Sequence, residues 1–204
     1  RRRNCAPGTN SGPWDQDGAG RTKCLIQRSL LIGIVAQDGT KSKHTSDNRS
    51  RQIADIEATL AAIVEPGQVV ELRALKCGRL GTVSGYFDDM HLLAVEAARL
   101  GNSTPAPSGV YITLNRLPNA LLARAANRAR SVGKNDPTTA DKDITRRLEF
   151  PIDADTVRLA GISSTDAEHE AALQRVARIS AWLRTLDWPE PMANDSSNGG
   201  HLLY

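Results

Sequence analysis

The hydrophobic positions of this 204-residue chain change spacing several times, from the period of two that is typical of strands to the 3.6-residue period of helices. Strands are predicted at 69–75, 82–87, 110–114 and 147–155, and helices at 53–64, 89–100, 119–129 and 166–187. A hairpin with a glycine-rich turn is predicted over residues 192–204. Because strands and helices mix without a strict β-α-β alternation, the sequence predicts an α+β fold.

Residues 1–52 show no such period, apart from a possible strand at Leu30–Ala36. Gly, Asn, Ser, Asp and Lys dominate much of this part, as in loops and disordered segments. Residues 1–51 hold 10 Lys and Arg against 4 Asp and Glu, whereas the rest of the chain holds 16 against 19. We therefore expect a basic, poorly ordered arm over residues 1–52 and a globular domain over residues 53–204. A basic arm suits contact with nucleic acid, and equally a solubilising role.

Composition argues against two classes of protein. No run of about 18 apolar residues occurs, so we expect neither a transmembrane helix nor a membrane partner. The three cysteines, Cys5, Cys24 and Cys77, form no Cys-x-x-Cys pair, so neither a zinc knuckle nor a disulfide framework is indicated. A reducing, cytoplasmic location is the resulting expectation.

The segment Phe150–Asp155 carries two carboxylates in a predicted strand. Side chains alternate along a strand, so Asp153 and Asp155 are expected on one face. Neighbouring carboxylates repel each other unless a cation lies between them, and oxygen ligands suit Mg²⁺ or Mn²⁺. The pair therefore indicates a metal site for phosphoryl or nucleotidyl transfer. Taken alone, a solvent-exposed acidic strand end explains the same pattern.

Three groups of segments resemble the primase-polymerase domains of mobile elements, within the archaeo-eukaryotic primase superfamily. The resemblance covers about residues 66–204. The segments are Glu71–Leu75 with Gly81–Asp89, then Gly109–Asn115 with Leu121–Arg128, and finally Asp143–Arg147, Asp153–Asp155, Gly161–Asp166 and Ser197–Tyr204.

This resemblance implies an N-terminal α/β unit followed by a module like the RNA-recognition motif. The strand 147–155, the helix 166–187 and the hairpin 192–204 would begin that module. The family's third acidic motif is expected beyond Tyr204, so we expect the catalytic domain to be truncated. The implied activity is that of a DNA primase or polymerase, which makes or extends primers on a DNA template for replication of a mobile element. The implied partners are DNA, nucleoside triphosphates and a helicase domain or subunit.

The resemblance also assigns site residues. Asp153 and Asp155 match the first acidic motif and are expected to be catalytic residues that hold Mg²⁺ or Mn²⁺. Ser197 and His201 match the second motif, although more residues separate them than in the minimal family pattern. His201 would then be a catalytic residue that contacts the triphosphate. The nucleotide-binding residues are expected to be Ser197, Gly199, Gly200, His201 and Arg147.

Glycines and arginines complete the expected site. The two glycines of the final turn lack a Cβ atom, so their amides can come close to a phosphate. Arg147 shares the predicted strand face of Asp153, where it contacts triphosphate or template, or pairs with Glu149. The nucleic-acid-binding residues are expected to be Arg146, Arg124 and Arg128. A solvent-exposed helix face is the simpler explanation for Arg124 and Arg128.

Two other functional classes remain open from the sequence. A metal-dependent nuclease also needs clustered carboxylates, but it releases nucleotides from DNA instead of extending a primer. A non-catalytic nucleic-acid-binding module of the same fold needs no third acidic motif at all.

Overall fold

The computed structural model describes residues 22–26, 31–33, 46–157, 162–196 and 198–204. It contains helices and two antiparallel sheets, which confirms the predicted α+β class. The strands are β1 (Thr22–Ile26), β2 (Leu31–Gly33), β3 (Val70–Leu75), β4 (Val83–Phe87), β5 (Gly109–Thr113), β6 (Arg128–Ser131), β7 (Pro151–Thr156), β8 (Met192–Asp195) and β9 (Gly199–Leu203). The α-helices are α1 (Ser46–Ile63), α2 (Met90–Gly101) and α3 (Asp166–Arg184), and short 3₁₀ turns occur at Gly78–Leu80, Asn119–Arg124 and Asp141–Asp143.

Two compact units make up the chain. The larger unit lies within residues 28–150, and the smaller unit combines β1 with residues 151–204. Among the described helices, none is long and apolar enough to cross a membrane.

The larger unit is built on a five-stranded sheet in the order β2-β5-β3-β4-β6. Helix α2 packs on this sheet, and α1 packs against α2. The side chains of Leu72, Phe87, Leu93 and Ile112 are fully buried in the resulting core. Asp89 caps α2, since its Oδ1 atom accepts a hydrogen bond of 3.0 Å from the backbone N–H of Leu92.

A buried carboxylate stabilises this unit. Glu71 has no exposed surface, and its two oxygens accept four hydrogen bonds. Arg73 donates two of them, at 2.9 and 2.6 Å, and the Ser84 hydroxyl donates a third at 2.5 Å. The fourth comes from the backbone N–H of Thr139 at 3.0 Å, in a segment without regular structure. The Glu71 carboxylate therefore ties two strands and a loop together.

The predicted helix 119–129 is wrong. A 3₁₀ turn ends at Arg124, and β6 follows from Arg128. Asn127 lies between them with a positive φ of 50°, and its Oδ1 atom accepts hydrogen bonds from the backbone N–H groups of Asp88 and Asp89, both at 3.2 Å. Pairing with the edge of β4 thus overrides the helical spacing of the apolar residues.

The predicted strand 147–155 begins later than expected, at Pro151. The backbone N–H groups of Leu148 and Glu149 donate to the Oδ1 atom of Asn115, at 2.7 and 3.0 Å. Because those donors are bonded to a side chain, they are not part of a strand ladder. The alternation used to place Arg147 beside Asp153 therefore does not extend to Arg147.

The described N-terminal residues form two strands and the start of a helix. Strand β1 pairs with β7, with Lys23 opposite Asp155 and Leu25 opposite Asp153. Strand β2 lies inside the predicted strand 30–36, and α1 begins before the expected boundary at residue 52. The other parts of the expected arm, residues 1–21, 27–30 and 34–45, lie outside the described residues.

The smaller unit is a four-stranded sheet in the order β1-β7-β9-β8, with α3 on one face. A capping box starts α3: the Thr165 hydroxyl accepts from the backbone N–H of Glu168 at 3.3 Å, and the Glu168 carboxylate accepts from the backbone N–H of Thr165 at 2.9 Å. The core between α3 and the sheet contains Ile152, Ala154, Val176, Leu183 and Leu202. We call the sheet face that is turned away from α3 the far face.

Removing the Glu71 carboxylate should destabilise the larger unit severely. Glu71→Ala leaves a mostly buried guanidinium and two further donors without their acceptor, and should lower the free energy of unfolding by about 3–5 kcal/mol. The matched control is Glu96→Ala, which removes a partner of the half-exposed Arg99 and should cost less than about 1 kcal/mol. Urea denaturation followed by circular dichroism measures both, and equal losses would contradict the structural role.

Candidate functional site

Strand pairing brings the two acids and the histidine together. In the β7–β9 ladder, Asp153 lies opposite His201 and Asp155 lies opposite Gly199. Ile152 and Ala154 alternate with the acids and are buried in the core against α3. Strand alternation therefore places Asp153, Asp155 and His201 on the far face, as the sequence predicted for the two acids.

Asp153 and His201 form a close electrostatic pair. The Nε2 atom of His201 lies 3.0 Å from the Oδ1 atom of Asp153, and the two side chains are 39% and 14% exposed. This is hydrogen-bonding distance, but the ring N–H is poorly aligned with the oxygen. Within the described residues, that buried oxygen has no well-aligned hydrogen-bond donor. One oxygen of Asp153 therefore keeps unused acceptor capacity.

The same contact affects the protonation of His201. The interaction with the Asp153 carboxylate raises the pKa of His201 above its usual value, and the charge of Asp155 acts in the same direction. Burial of the ring opposes this effect without reversing it. The site thus presents two carboxylates and a histidine whose cationic form they stabilise.

The two glycines of β9 have different structural roles. A Cβ atom on Gly199 would lie 2.2 Å from the backbone oxygen of Ala154 and 2.7 Å from the Oδ1 atom of Asp155. A Cβ atom on Gly200 would instead meet the Cγ2 atom of Val176 on α3 at 2.7 Å. Gly199 therefore lies on the side of the acids, whereas Gly200 faces the core. Successive strand residues face opposite sides of the sheet, so of these two glycines Gly199 is the one on the face of the acids.

The turn before β9 is fixed to the start of α3. Ser196 donates to the backbone oxygen of Gly199 through its N–H at 3.0 Å and its hydroxyl at 3.1 Å. The Oδ1 atom of Asn198 accepts from the backbone N–H of Ser164 at 3.1 Å. These contacts support the strand that carries His201. The expected nucleotide ligand Ser197 lies outside the described residues.

All four expected arginines belong to the larger unit. Arg124 is half-buried, donates to the Tyr86 hydroxyl at 3.1 Å and lies over the Tyr86 ring, 5.7 Å from its centroid. Arg128, Arg146 and Arg147 are exposed. Arg124 thus contacts a buried tyrosine of the larger unit.

Glu149, the alternative partner that the sequence suggested for Arg147, also lies in the larger unit. Burial of the Glu149 carboxyl raises its pKa, and the charge of Glu65 adds to that shift.

Sequence reasoning missed two residues that the ladders place beside the acids. Asn194 on β8 lies opposite His201, and Lys23 on β1 lies opposite Asp155. The predicted hairpin could have placed Asn194, because a hairpin turn sets the register of its strands. No local signal could have placed Lys23, because β1 pairs with a strand more than a hundred residues away.

Asp153 and Asp155 supply some of the ligands that one divalent cation needs. Two carboxylates lie on one strand face, and Asp153 has an oxygen without a well-aligned donor. Mg²⁺ commonly takes one or two protein carboxylates and completes its shell with water and phosphate. In the described part of the chain, no three His, Cys, Asp or Glu side chains form a ready-made metal cluster. The chain itself thus supplies part of a coordination shell.

Comparison with known proteins found no match: no family model, no curated protein and no solved structure matches this chain. The fold class is therefore established by the helices and sheets themselves. The resemblance to primase-polymerases is carried by the sequence motifs alone.

Replacing Gly199 should disturb the site-bearing ladder. Gly199→Ala forces a methyl group against the backbone of β7, which cannot move without breaking the pairing, and should cost about 1–3 kcal/mol of unfolding free energy. Gly133→Ala is the matched control, because the atoms nearest to its Cβ would belong to the Asp136 side chain, at 3.3 Å or more, and not to the backbone of a paired strand. Thermal denaturation of both variants tests this, and an unchanged midpoint for Gly199→Ala would mean that the strands are further apart than described.

Proposed function

We propose that this chain is a metal-dependent nucleotidyltransferase, a DNA primase or polymerase domain that makes or extends primers for replication of a mobile element. The observation that carries the proposal is the register of β7 with β9. It sets Asp153 opposite His201 and keeps Asp155 on the same sheet face. The proposal also rests on the sequence motifs, which assign these three residues to the two recognised parts of the family pattern.

Each residue has a defined role in this proposal. Asp153 and Asp155 would hold Mg²⁺ or Mn²⁺ through their carboxylate oxygens. When bound, the metal would supply charge stabilisation for in-line attack of a 3′ hydroxyl oxygen on the α-phosphate, as the bond to the β-phosphate breaks, pyrophosphate leaves and the hydroxyl proton passes to water. His201 donates a hydrogen bond to a phosphate oxygen and orients the triphosphate. DNA template and nucleoside triphosphates are the proposed ligands, and a helicase domain or subunit is a proposed partner.

The proposal predicts modest activity. Transfer with two metal ions needs enough anionic ligands for both ions, and the described far face offers two carboxylates. We expect the 204-residue chain to bind nucleotide weakly and to extend primers slowly.

The acidic pair should control metal binding. Asp153→Asn and Asp155→Asn each remove one charged ligand and should weaken Mn²⁺ binding at least about tenfold, since even changes to residues that support ligands cost that much. The control is Asp195→Asn in the same sheet, whose carboxylate contacts His169 on α3 at 2.8 Å and should leave Mn²⁺ binding unchanged. Electron paramagnetic resonance of free Mn²⁺ measures the affinities. Equal effects of all three substitutions would contradict an Asp153–Asp155 site.

Primer extension distinguishes polymerase, nuclease and binding module. With a primed DNA template, Mn²⁺ and nucleoside triphosphates, a polymerase lengthens the labelled primer, a nuclease shortens it, and a binding module shifts its mobility without changing its length. We expect slow lengthening that is lost in Asp153→Asn. His201→Gln should raise the KM for nucleotide more than the Kd for DNA, because the histidine is placed at the triphosphate. Shortening of the primer by the unaltered chain would replace the polymerase proposal with the nuclease.

A further inference from the structure

The far face carries residues in rows that run across the strands. One row contains Asp155 and Gly199, and the next contains Asp153 and His201. Asn194 on β8 extends that second row. One further row remains, and it is apolar: Pro151, Leu203 and Met192 are paired across β7, β9 and β8.

The contacts of neighbouring residues settle which side of the sheet this apolar row occupies. Asp195 contacts His169 of α3, and Ala193 and Leu202 line a groove beside α3 with a volume of about 370 Å³. Strand alternation then places Met192 and Leu203 on the opposite side, with His201. The Met192 side chain is 47% exposed, and Pro151 and Leu203 are half-buried.

We propose that this apolar row binds the nucleoside part of the nucleotide whose phosphates lie at the acidic pair. Adjacent rows on one face are two residues apart, or about 6.8 Å along an antiparallel strand, which is within the reach of a single nucleotide. The base and sugar present apolar surface that Met192 and Leu203 can cover, whereas the acids and His201 suit only metal and phosphate. Asn194, in the polar row next to the apolar one, offers both a donor and an acceptor to the sugar.

This inference rests on the proposed function and narrows it. A site made only of acids and a histidine would bind any metal-bound polyphosphate. The added apolar row selects a nucleoside triphosphate over an inorganic one. The nucleoside is assigned to the apolar row because this row lies on the same strands as the polar residues, β7, β9 and β8, and is the next row along them.

The test compares two ligands on the full chain in the presence of Mn²⁺: a nucleoside triphosphate and inorganic triphosphate. We expect the unaltered chain to bind the nucleoside triphosphate more tightly. Met192→Ser should weaken binding of the nucleoside triphosphate roughly fivefold, because it removes part of the apolar contact with the nucleoside. It should leave the affinity for inorganic triphosphate unchanged. Leu186→Ser is the matched control, since Leu186 is 52% exposed beyond the end of α3 and should affect neither ligand.

Calorimetry measures the affinities for the two ligands, and sedimentation detects dimers. Two results would overturn the proposed role of the apolar row while leaving a metal and phosphate site intact. One is equal affinity of the unaltered chain for the two ligands, and the other is an equal loss of affinity for both ligands in Met192→Ser. Binding of neither ligand would overturn the proposed function and this inference with it. Dimerisation that Met192→Ser abolishes would assign the row to a second copy of the chain instead. Met192→Gln keeps the side-chain length and gives the same comparison if the serine variant does not fold.

Discussion

The candidate site depends above all on the register between β7 and β9. A shift of one residue would turn Asp153 and Asp155 toward α3 and bring Ile152 and Ala154 to the far face, because strand side chains alternate. Two features prevent that shift. Gly200 lets α3 come so close that a Cβ atom would meet Val176, and Leu202 fills the core beside Ile152. The hydrophobic packing on one face therefore fixes the chemistry on the other.

The carboxylates of Glu71 and Asp153 differ in the hydrogen bonds that they accept. Glu71 is fully buried and receives four donors, including two from Arg73, so its lone pairs are already used in holding the larger unit together. Asp153 is also mostly buried, but one of its oxygens has a poorly aligned histidine as its neighbour among the described residues. Burying an acceptor in this way is costly unless something else binds it. A bound cation would remove that cost, and nothing comparable is needed at Glu71.

Local patterns in the sequence predicted much of this arrangement, and the failures share one cause. The start of α3 at Asp166, the hairpin β8–β9 and the alternation of the two acids depend on neighbours a few residues away, and each was visible in the sequence. The start of β7 was missed because Asn115, over thirty residues earlier, takes the backbone donors that would have extended the strand. Strand β1 was missed because its segment has no period of its own, and its pairing with β7 is entirely non-local.

Strand β9 shows how closely fold and site are combined. Gly199 is required by the backbone of β7, Gly200 by α3 and Leu202 by the core, so these three positions are set by packing. The glycines therefore need no phosphate to explain them. His201 and Leu203 are the two remaining positions, and both face away from α3. The contacts with β7, α3 and the core therefore do not explain the histidine beside the acids or the leucine in the next row of the far face.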